Sequence, residues 1–427
     1  MNSFNLRENS LFKEKYYEKT LRSGFKITVI PKSLPAMTAF LCCDFGAAEV
    51  KYRLDGEIFT LPYGTAHFLE HKMFETADGR DSFLDFDAYG GNANAFTSFE
   101  NTCYYFCASE NFFENLEVLL SSVSSFHCTK KSVEKEKKII AREIKMYEDL
   151  PNSCVSRNLL SAMYANHPLT EPISGRVESI NTITKEILCQ AYDHFYVPEN
   201  LSLCICGDVD LERVSEYAEK YFGTPSHKRP ETVFDPEPLN VASEKASEKG
   251  IVATPLFSMG IKCENPDLKD INFVRRSSAL RIAISLAFGR ASDFYCQSYA
   301  QGLLSERFYA GYTSTRGASY ISLSGSSTDP EAVFEKAKAE IRYRKTHFFT
   351  EEQILREKKA AYAESITLFD SAEDLTSCFA MNSFFDYDEF DCIEILRDIT
   401  PQEIKDALDS IDLTKASISI IRKDDLI

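Results

Sequence analysis

Residues 67–71 read HFLEH, and the types and spacing of their polar side chains are those of a metal-dependent hydrolytic site. Two histidines four residues apart project from the same side of a helix, one turn apart, and neutral imidazole nitrogens bind zinc readily. Glu70 follows His67 by three residues and precedes His71 by one, so its carboxylate can face a metal without binding it. Such a carboxylate suits a general base toward water that a metal activates. The motif therefore predicts a catalytic zinc site with His67 and His71 as ligands and Glu70 as the base.

An alternative interpretation of this segment is a surface helix that carries two ordinary histidines. The flanking residues predict instead a mostly buried helix, because they are large and apolar: Phe68, Leu69, Met73 and Phe74. Burying two histidines and a glutamate costs free energy unless these groups are paired or bound to metal. A catalytic zinc also needs a third protein ligand and a position left open for water. Another part of the chain must therefore supply one more ligand.

Candidates for this third ligand lie in a second helical segment. No proline or glycine occurs in residues 128–150, and apolar residues recur there at roughly helical spacing. Glu136 and Glu143 are seven residues apart, which is two turns along one face, so both carboxylates could approach the same point. The lysine-rich residues 135–138 favour an ordinary solvated face with charge pairs along the helix. Spacing alone leaves four candidates open: Glu134, Glu136, Glu143 and Glu148.

These motifs resemble those of the pitrilysin/insulinase family of zinc peptidases, which includes the mitochondrial processing peptidases. The matching stretches follow the family's order and cover most of residues 20–223: GTAHFLEHKMFE, GGNANAFTSFENTCYYF, EKEKKIIAREI, PISGRVESINTITKEILCQAYDHFYVPENLSLCICGDVD and EKYFG. The resemblance implies that Glu143 is the third zinc ligand and that Glu136 is an outer partner that orients the ligands. Glu148 is the fallback ligand if the register differs.

The resemblance also implies how a peptide is held. Residues 92–106 are rich in β-formers and aromatic residues and are similar to the family's edge strand beside the zinc. Such a strand binds an extended peptide by adding it to the sheet, so backbone hydrogen bonds provide the affinity. Asn94 and Ala95 match the family's contact positions and are expected to bind substrate. Without the resemblance, the segment would be interpreted as an ordinary core strand.

A second substrate-binding element departs from the family pattern. Active relatives made of one chain or of two identical chains carry an arginine seven residues before a tyrosine, and both contact substrate. Tyr320 matches the tyrosine, but Thr313 stands where the arginine is expected, and the spacing of the nearby Arg307 and Arg316 is wrong. The chain thus resembles the zinc-bearing subunit of bacterial insulinase-like relatives that divide the work between two homologous chains. The implied partner has a similar length and lacks the zinc motif, and a homodimer is the alternative.

Length and composition predict two domains. At 427 residues the chain is too long for a single core. Residues 225–250 are rich in proline, serine and charge and are predicted to be a linker between an N-terminal zinc-bearing domain, 1–224, and a C-terminal domain, 251–427. Both domains contain a similar order of strands and helices, and the expected buried helix of the second contains no histidine. The predicted fold class is α+β: two similar domains, each an antiparallel sheet with helices on one face, forming half of a clamshell.

Periodicity predicts the following elements along the chain. Strands are predicted at 25–30, 37–45, 92–106, 201–207, 257–263, 320–324 and 417–421. Helices are predicted from about residue 65 and at 110–150, 211–221, 279–295, 330–346, 351–369 and 401–410.

Charge and targeting signals narrow the partners and the compartment. The net charge of −17 excludes nucleic acid as an expected partner, because phosphate binding needs a basic surface. A weaker hypothesis is that an acidic chamber favours cationic peptides. No run of 18 or more apolar residues exists, so no membrane span is expected. The N-terminal sequence MNSFNLRENSLFKEKYYEK lacks the apolar core of a secretory signal and contains acidic residues unlike a transit peptide, which favours the cytoplasm.

The cysteines are interpreted as buried thiols rather than as a second metal site. There are 13 of them, without a C-x-x-C motif. Many lie in apolar strand-like segments, which predicts reduced side chains of a cytoplasmic protein. The residues concerned are Cys42, Cys43, Cys103, Cys107, Cys204 and Cys206.

Together these features predict a zinc endopeptidase that holds one zinc per chain and cleaves short or unfolded peptides in an enclosed chamber. The main alternative is a non-catalytic peptide-binding or assembly subunit of the same fold, like the core proteins of respiratory complexes. Such subunits usually lack one or more of the metal or base residues, whereas all are present here, which favours catalysis. No feature of the sequence favours a zinc protein with some other hydrolytic chemistry.

Overall fold

A computed structural model describes residues 3–10, 13–265 and 267–424. Residues 1, 2, 11, 12, 266 and 425–427, which belong to the two predicted domains, lie outside this description. The chain forms two compact units, each assembled from separate segments of the sequence. The first unit contains the chain up to Ile144, Pro172–Val233 and Thr367–Phe390. The second contains Lys145–Glu171, Phe234–Ile366 and the chain from Asp391 onward.

The strands and helices are numbered in chain order. The strands are Asn5–Asn9 (β1), Glu14–Thr20 (β2), Lys26–Ile30 (β3), Met37–Cys43 (β4), Lys51–Leu54 (β5), Glu57–Thr60 (β6), Asn92–Thr97 (β7), Thr102–Ala108 (β8), Leu201–Cys206 (β9), Glu231–Thr232 (β10), Lys245–Gly250 (β11), Leu256–Lys262 (β12), Tyr309–Thr315 (β13), Ala318–Ser326 (β14) and Ala416–Lys423 (β15). The α-helices are Thr65–Met73 (α1), Phe83–Ala88 (α2), Phe112–Ser124 (α3), Lys130–Glu148 (α4), Pro151–Met163 (α5), Val177–Thr182 (α6), Lys185–Phe195 (α7), Leu211–Phe222 (α8), Ile271–Phe288 (α9), Asp293–Ala300 (α10), Pro330–Thr346 (α11), Glu351–Thr367 (α12), Ala372–Asn382 (α13), Glu389–Asp398 (α14) and Pro401–Asp409 (α15).

The first unit is built on a seven-stranded sheet with the strand order β1-β2-β3-β9-β4-β8-β7. Strand β3 runs parallel to β9, and the other neighbours are antiparallel. The interior strand β4 is almost entirely buried, as its continuous apolar sequence MTAFLCC indicates. Ala39, Leu41 and Cys43 belong to the core beneath one face, to which α1, α3, α4, α7 and α8 contribute. Helix α13 packs against β4 and β9, and the carbonyl oxygen of its Ala380 accepts a hydrogen bond from Ser202, whose side chain points away from that core.

The second unit is built on a five-stranded sheet with the order β11-β15-β12-β14-β13. Strand β11 runs parallel to β15, and the other neighbours are antiparallel. Helix α9 packs with α10, α11, α15 and strand β13, while α5 packs against β12 and β15. A side chain at Gly260 of β12 would meet the sulfur of Met163, so this glycine lets α5 approach the sheet closely.

The two sheets share one pairing pattern. Order and strand directions in β3-β9-β4-β8-β7 are repeated in β11-β15-β12-β14-β13, with the parallel pair at the same place in each. Each unit also has a buried helix between the matching strands β4 and β7, or β12 and β13. The predicted α+β class with two similar domains is confirmed.

The compact units are not the contiguous ranges expected from the sequence. They differ because residues 145–171, which contain α5, belong to the second unit, and residues 367–390, which contain α13, belong to the first. Each sheet is therefore partly covered by a helix from the other half of the sequence. Such a long-range exchange leaves no signal in local composition. Residues 245–250, at the end of the expected linker 225–250, form the polar strand β11.

Some predicted elements are divided in the structure. Residues 92–106 form two strands, β7 and β8, because Ser98 and Asn101 close a turn between them. The predicted helix 110–150 contains α3 and α4, which are separate helices, and the predicted helix 279–295 is divided between α9 and α10. In the described part of the chain, no helix combines the length and apolar character needed to cross a membrane.

The prediction of reduced thiols is wrong for one pair of cysteines. Cys42 and Cys103 form a disulfide. They lie directly opposite each other on the antiparallel strands β4 and β8, with Cα atoms 4.2 Å apart, so register brings the two sulfurs together. The other cysteines are free thiols.

Candidate metal centre

Helix α1 carries the histidine motif on one side and a core-facing surface on the other. It begins after Gly64, which has the left-handed φ of 87°. A side chain at Gly64 would meet the carbonyl oxygen of Ser174, so only glycine fits this start. Phe68 and Leu69 are fully buried in the core. This burial fixes the rotation of the helix and directs the remaining side toward α4.

Helix α4 supplies the third member of the cluster. Its buried residues Val133, Ile140 and Ile144 form a stripe at helical spacing. Glu136 and Glu143 lie beside this stripe and are half-buried rather than solvated. Packing of the apolar stripe thus brings both carboxylates to the side of α1 that carries the histidines.

His67, His71 and Glu143 come together in space. One potential ligand atom from each lies within 4.8 Å of the others. Nε2 of His67 is 3.5 Å from Oε1 of Glu143, and Nε2 of His71 is 3.4 Å from Oε2. Two ligand atoms on a tetrahedral zinc with bonds of about 2.0–2.1 Å are about 3.3–3.4 Å apart. The spacing and the donor set of two imidazoles and one carboxylate therefore fit a zinc ion with a fourth position open.

The other glutamates considered from spacing lie elsewhere. Glu134 is exposed and accepts a hydrogen bond from Lys137. Glu148 is exposed at the last residue of α4. Among the described residues, only Glu143 of the four candidates joins the two histidines in a metal-type cluster.

Glu136 orients His71. Its Oε1 lies 3.1 Å from Nδ1 of His71. In the neutral ring this contact places the proton on Nδ1 and leaves the lone pair of Nε2 for a metal, whereas in the protonated ring Nε2 donates to Glu143. Burial lowers the pKa of His71, but hydrogen bonds to Glu136 and Glu143 outweigh this effect and raise it to about 9. Hydrogen bonds from His67 and His71 hold the pKa of Glu143 well below its usual range. The cluster therefore attracts positive charge, which a proton or a metal cation can supply.

The two histidines differ in their support. Nδ1 of His67 is buried and has no hydrogen-bond partner in the described part of the chain. His67 thus contacts a carboxylate through Nε2 alone, whereas His71 has one at each ring nitrogen.

A buried lysine stands behind Glu136. The side chain of Lys72 is only 5% exposed, and its Nζ lies 3.8 Å from Oε2 of Glu136. The same ammonium donates a hydrogen bond to Glu75. Lys72 thus compensates the negative charge of the carboxylate that orients His71. Lys72 is not among the site residues predicted from the sequence, although a lysine within the apolar flank of HFLEH is a signal for a buried ion pair.

Glu70 lies beside the cluster without belonging to it. Its Oε2 accepts a hydrogen bond from Oγ1 of Thr97, at the end of β7. In the described part of the chain, Oε1 of Glu70 accepts no hydrogen bond. This arrangement leaves one carboxylate oxygen available for proton transfer. Thr97 was also not predicted as a site residue from the sequence. Its position two residues beyond Ala95 places both side chains on one face of the strand, which is a signal that could have found it.

Asn94 and Ala95 lie on β7, an edge strand of the first sheet. Strand β7 pairs with β8 on one side only, within the described residues. The carboxamide oxygen of Asn94 accepts a hydrogen bond from the backbone N–H of Ala95 at 2.9 Å. A peptide that adds to this edge would therefore compete with the Asn94 side chain for the Ala95 N–H.

Tyr320 lies in the second unit, on β14. It pairs directly with Thr313 of β13, so the two positions of the family's arginine and tyrosine face each other across a hairpin. Burial raises the pKa of Tyr320, and a hydrogen bond with Thr313 acts in the opposite direction. Arg307 precedes β13, and Arg316 lies in the turn between β13 and β14. Within this hairpin, no arginine takes the place of Thr313.

Two family models match the chain. The model of the insulinase family (peptidase family M16) matches residues 61–176, which contain all members of the cluster. A model described as the peptidase M16 inactive domain matches residues 182–361, which contain none of them.

Proteins of similar sequence and structure are also found. An uncharacterized zinc protease of Bacillus subtilis (strain 168), YmfH, is 32% identical over 410 residues, which cover 94% of this chain and 95% of that protein. Another from the same strain, YmxG, is 36% identical over 167 residues, 38% of this chain and 40% of that protein. A solved M16-like protein from Alicyclobacillus acidocaldarius has a TM-score of 0.91 at 28% identity over 99% of both chains. A protease from Helicobacter pylori has a TM-score of 0.81 at 18% identity over 96% of this chain and 100% of its own, which supports the fold alone.

Proposed function

The chain belongs to the insulinase family, peptidase family M16, and we propose that it is a zinc-dependent endopeptidase acting on short or unfolded peptides. The observation that carries the proposal is the meeting of His67, His71 and Glu143 at distances that suit zinc, with Glu70 beside them. His67, His71 and Glu143 would hold one zinc ion per chain. Glu136 would keep the ring of His71 in the metal-binding tautomer.

Bound zinc supplies Lewis-acid chemistry, which makes water nucleophilic near neutral pH and polarises a peptide carbonyl. Glu70 supplies the proton transfers. Its carboxylate accepts a proton from the attacking water and then returns that proton to the amine of the leaving peptide. The half-buried position of Glu70, with one oxygen held by Thr97, suits this role because the free oxygen can meet both partners.

Peptide binding is assigned to β7. An extended segment that pairs with the free edge of β7 would place its backbone beside the metal ligands, because β7 packs against α1. Asn94 and Ala95 would contact that segment. Tyr320, in the second unit, is proposed as a substrate contact on the family resemblance alone. Since backbone pairing carries little side-chain preference, we expect broad sequence specificity. The net charge of −17 supports a preference for cationic peptides.

A dimer with a second chain is proposed because Thr313 stands where the family pattern has a substrate-binding arginine. A homologous subunit without the zinc motif would supply the missing arginine and would close a chamber that admits only short or unfolded peptides. A homodimer with a changed substrate contact is the alternative. The cytoplasmic location stays a prediction, and the disulfide between Cys42 and Cys103 is more typical of oxidising compartments. Detection of the protein in separated cell fractions tests this location.

A non-catalytic peptide-binding or assembly subunit is the alternative function. Residues 182–361 match a model described as an inactive domain, which is consistent with a non-catalytic role for the second part of the chain. The complete set of ligands and base within residues 61–176 favours catalysis for the first part.

The test is cleavage of a quenched, unstructured peptide by the zinc-loaded protein, alone and mixed with a co-encoded homologue. We expect cleavage that requires zinc and that increases strongly with the homologue. Cleavage by the single chain at full rate would favour the homodimer. Absence of cleavage from every mixture, with zinc bound, would contradict the peptidase and favour the assembly role.

A further inference from the structure

Thr97 and Glu70 join two elements with different tasks. Thr97 is the last residue of β7, the strand assigned to peptide binding, and Glu70 is on α1, the helix that carries two of the metal ligands. The hydroxyl of Thr97 donates a hydrogen bond to Oε2 of Glu70, and both side chains are half-buried. Helix α1 packs against β7, so this bond lies within a packed contact.

We propose that Thr97 is a positioning residue that fixes the carboxylate of Glu70 for proton transfer and couples it to the peptide-binding strand. The inference rests on the proposed function, because it needs Glu70 to be the base. It adds a residue to the site for which neither the motif nor the metal cluster gives a role.

The two oxygens of the Glu70 carboxylate have different surroundings. A glutamate side chain has three rotatable bonds and two equivalent oxygens, so a free carboxylate spends little time in a productive orientation. The Thr97 hydroxyl occupies Oε2. Oε1 has no protein donor in the described part of the chain, so it is the oxygen available to water and to the leaving amine. One hydrogen bond therefore selects both the orientation and the reacting oxygen.

The side chain of Thr97 lies on the face of β7 that is directed toward the core. Ala93, Ala95 and Thr97 alternate with the outward residues of β7, and the two alanines pack against the core. Thr97 consequently points to the side on which α1 lies. Its backbone pairs with Thr102 of β8, which anchors this end of the strand. A peptide that pairs with β7 orders the same strand and, through Thr97, the base. The benefit appears in the chemical step rather than in binding, so kcat should change more than KM.

The experiment uses Thr97→Val and Thr97→Ser in the full-length, zinc-loaded protein with its partner if one is required. Valine keeps the β-branched shape and removes the hydroxyl, whereas serine keeps the hydroxyl. For Thr97→Val we expect kcat to fall about 10- to 100-fold, with KM and zinc content unchanged, because a misplaced base loses part of its effect. Thr97→Ser should restore most of kcat.

A control separates this role from general effects of removing a threonine hydroxyl. Thr102 of β8 is buried and donates to the carbonyl oxygen of Phe45, and none of the hydrogen bonds among the described residues joins it to Glu70. Thr102→Val should reduce stability without a comparable loss of kcat. A second control measures affinity for the same unstructured peptide in the Glu70→Gln protein with and without Thr97→Val. Equal affinities are expected, because Thr97 acts through the base and does not bind peptide.

The outcomes separate this inference from the proposed function. Wild-type kcat in Thr97→Val, with Glu70→Gln inactive, would overturn the role of Thr97 and leave the proposed peptidase intact. Weaker peptide binding in the Glu70→Gln background would overturn it in favour of a direct contact. Loss of zinc or of folding in both Thr97 variants would overturn it in favour of a structural role. Full activity of Glu70→Gln would instead remove the proposed base itself.

Discussion

The two units use one sheet pattern but differ in the helix that follows the central strand. In the first unit, α1 carries His67, Glu70 and His71. Its counterpart α9 in the second unit carries no histidine. The shared pattern of strands and helices therefore provides an equivalent position for a metal site in each unit. The side chains at that position determine whether a metal can bind there.

Two carboxylates of the second unit have partners that differ from those of Glu143. In the second unit, Glu403 pairs with Arg275, and the buried Glu237 pairs with Lys262. In the first unit, Glu143 meets two imidazoles instead. The charge of each of the two second-unit carboxylates is already compensated by a permanent cation, whereas the positive charge beside Glu143 must come from a proton on an imidazole or from a metal. The following variants test this contrast, from the largest expected effect to the smallest.

Replacing the proposed zinc ligand Glu143 should remove the metal binding that distinguishes the first unit from the second. Glu143→Gln removes the negative charge shared by His67 and His71, so zinc content should fall from about one ion per chain toward zero. Metal analysis after dialysis measures this change, and cleavage should fall to background. Glu352→Gln on α12, an exposed glutamate of the second unit, is the matched control and should keep full zinc. Retained stoichiometric zinc in Glu143→Gln would contradict the assignment of this ligand.

Removing the base should leave the metal and remove the chemistry. Glu70→Gln keeps the size and polarity of the side chain but accepts no proton. We expect unchanged zinc content and a kcat lower by about 10²- to 10⁴-fold, the usual range for a general base. Parallel metal analysis and peptide cleavage measure the two quantities. Loss of zinc from this variant would instead make Glu70 a ligand.

Replacing the residues that contact His71 or Glu136 from outside the cluster should weaken zinc binding without eliminating it. Glu136→Gln removes the carboxylate that fixes His71, and zinc affinity should fall about 10- to 100-fold. Lys72→Met should lower the affinity in the same direction by less, because it acts through Glu136. A competition titration with a chelator measures both. Lys137→Met provides the control, since Lys137 pairs with Glu134 away from the cluster, and a loss as large as that for Lys72→Met would contradict the role of Lys72.

Altering the edge strand should affect binding more than chemistry. Ala95→Pro removes the backbone N–H that now donates a hydrogen bond to Oδ1 of Asn94. The same N–H is proposed to donate to the backbone of a bound peptide. We expect KM to rise about 2- to 10-fold, the value of one hydrogen bond, with zinc retained. Steady-state kinetics on the unstructured peptide measure it. An unchanged KM would place the peptide elsewhere.

The smallest effect concerns a histidine of the second unit that serves packing rather than metal binding. Burial lowers the pKa of His167, and the neutral ring accepts from Leu169 N–H and meets Arg316 O. Since the folded pKa is below the unfolded value of about 6.5, this contribution is present above pH 6.5 and is lost as the pH falls. Chemical denaturation at pH 7.5 and 5.5 should show this loss in the wild type and a smaller one in His167→Gln. An equal pH dependence in both proteins would contradict it.

The sequence predicted the parts of the site that lie close together along the chain. HFLEH is a single helical turn, so its geometry follows from helical spacing alone. Glu143 could not be separated from three other glutamates by spacing, because the packing of α4 on α1 decides which one reaches the histidines. The family resemblance supplied the choice that local physics left open. Lys72 and Thr97 were missed because their roles depend on contacts across elements.

For the fold, too, local features were predicted from the sequence and long-range features were not. Strongly periodic elements such as α8 were predicted to within one residue, whereas the polar strand β11 has no apolar alternation to mark it. The exchange of α5 and α13 between units depends on surfaces far apart in sequence, and the disulfide of Cys42 and Cys103 depends on strand register. Local pattern carries none of this information.

The most direct test of the central claim is anomalous diffraction at the zinc edge from crystals of the zinc-loaded protein. We expect one strong peak per chain, about 2.0–2.2 Å from Nε2 of His67, Nε2 of His71 and a carboxylate oxygen of Glu143. We expect no peak in the second unit. A peak at other residues, or no peak at all from fully loaded protein, would contradict the assignment of this cluster as the metal centre.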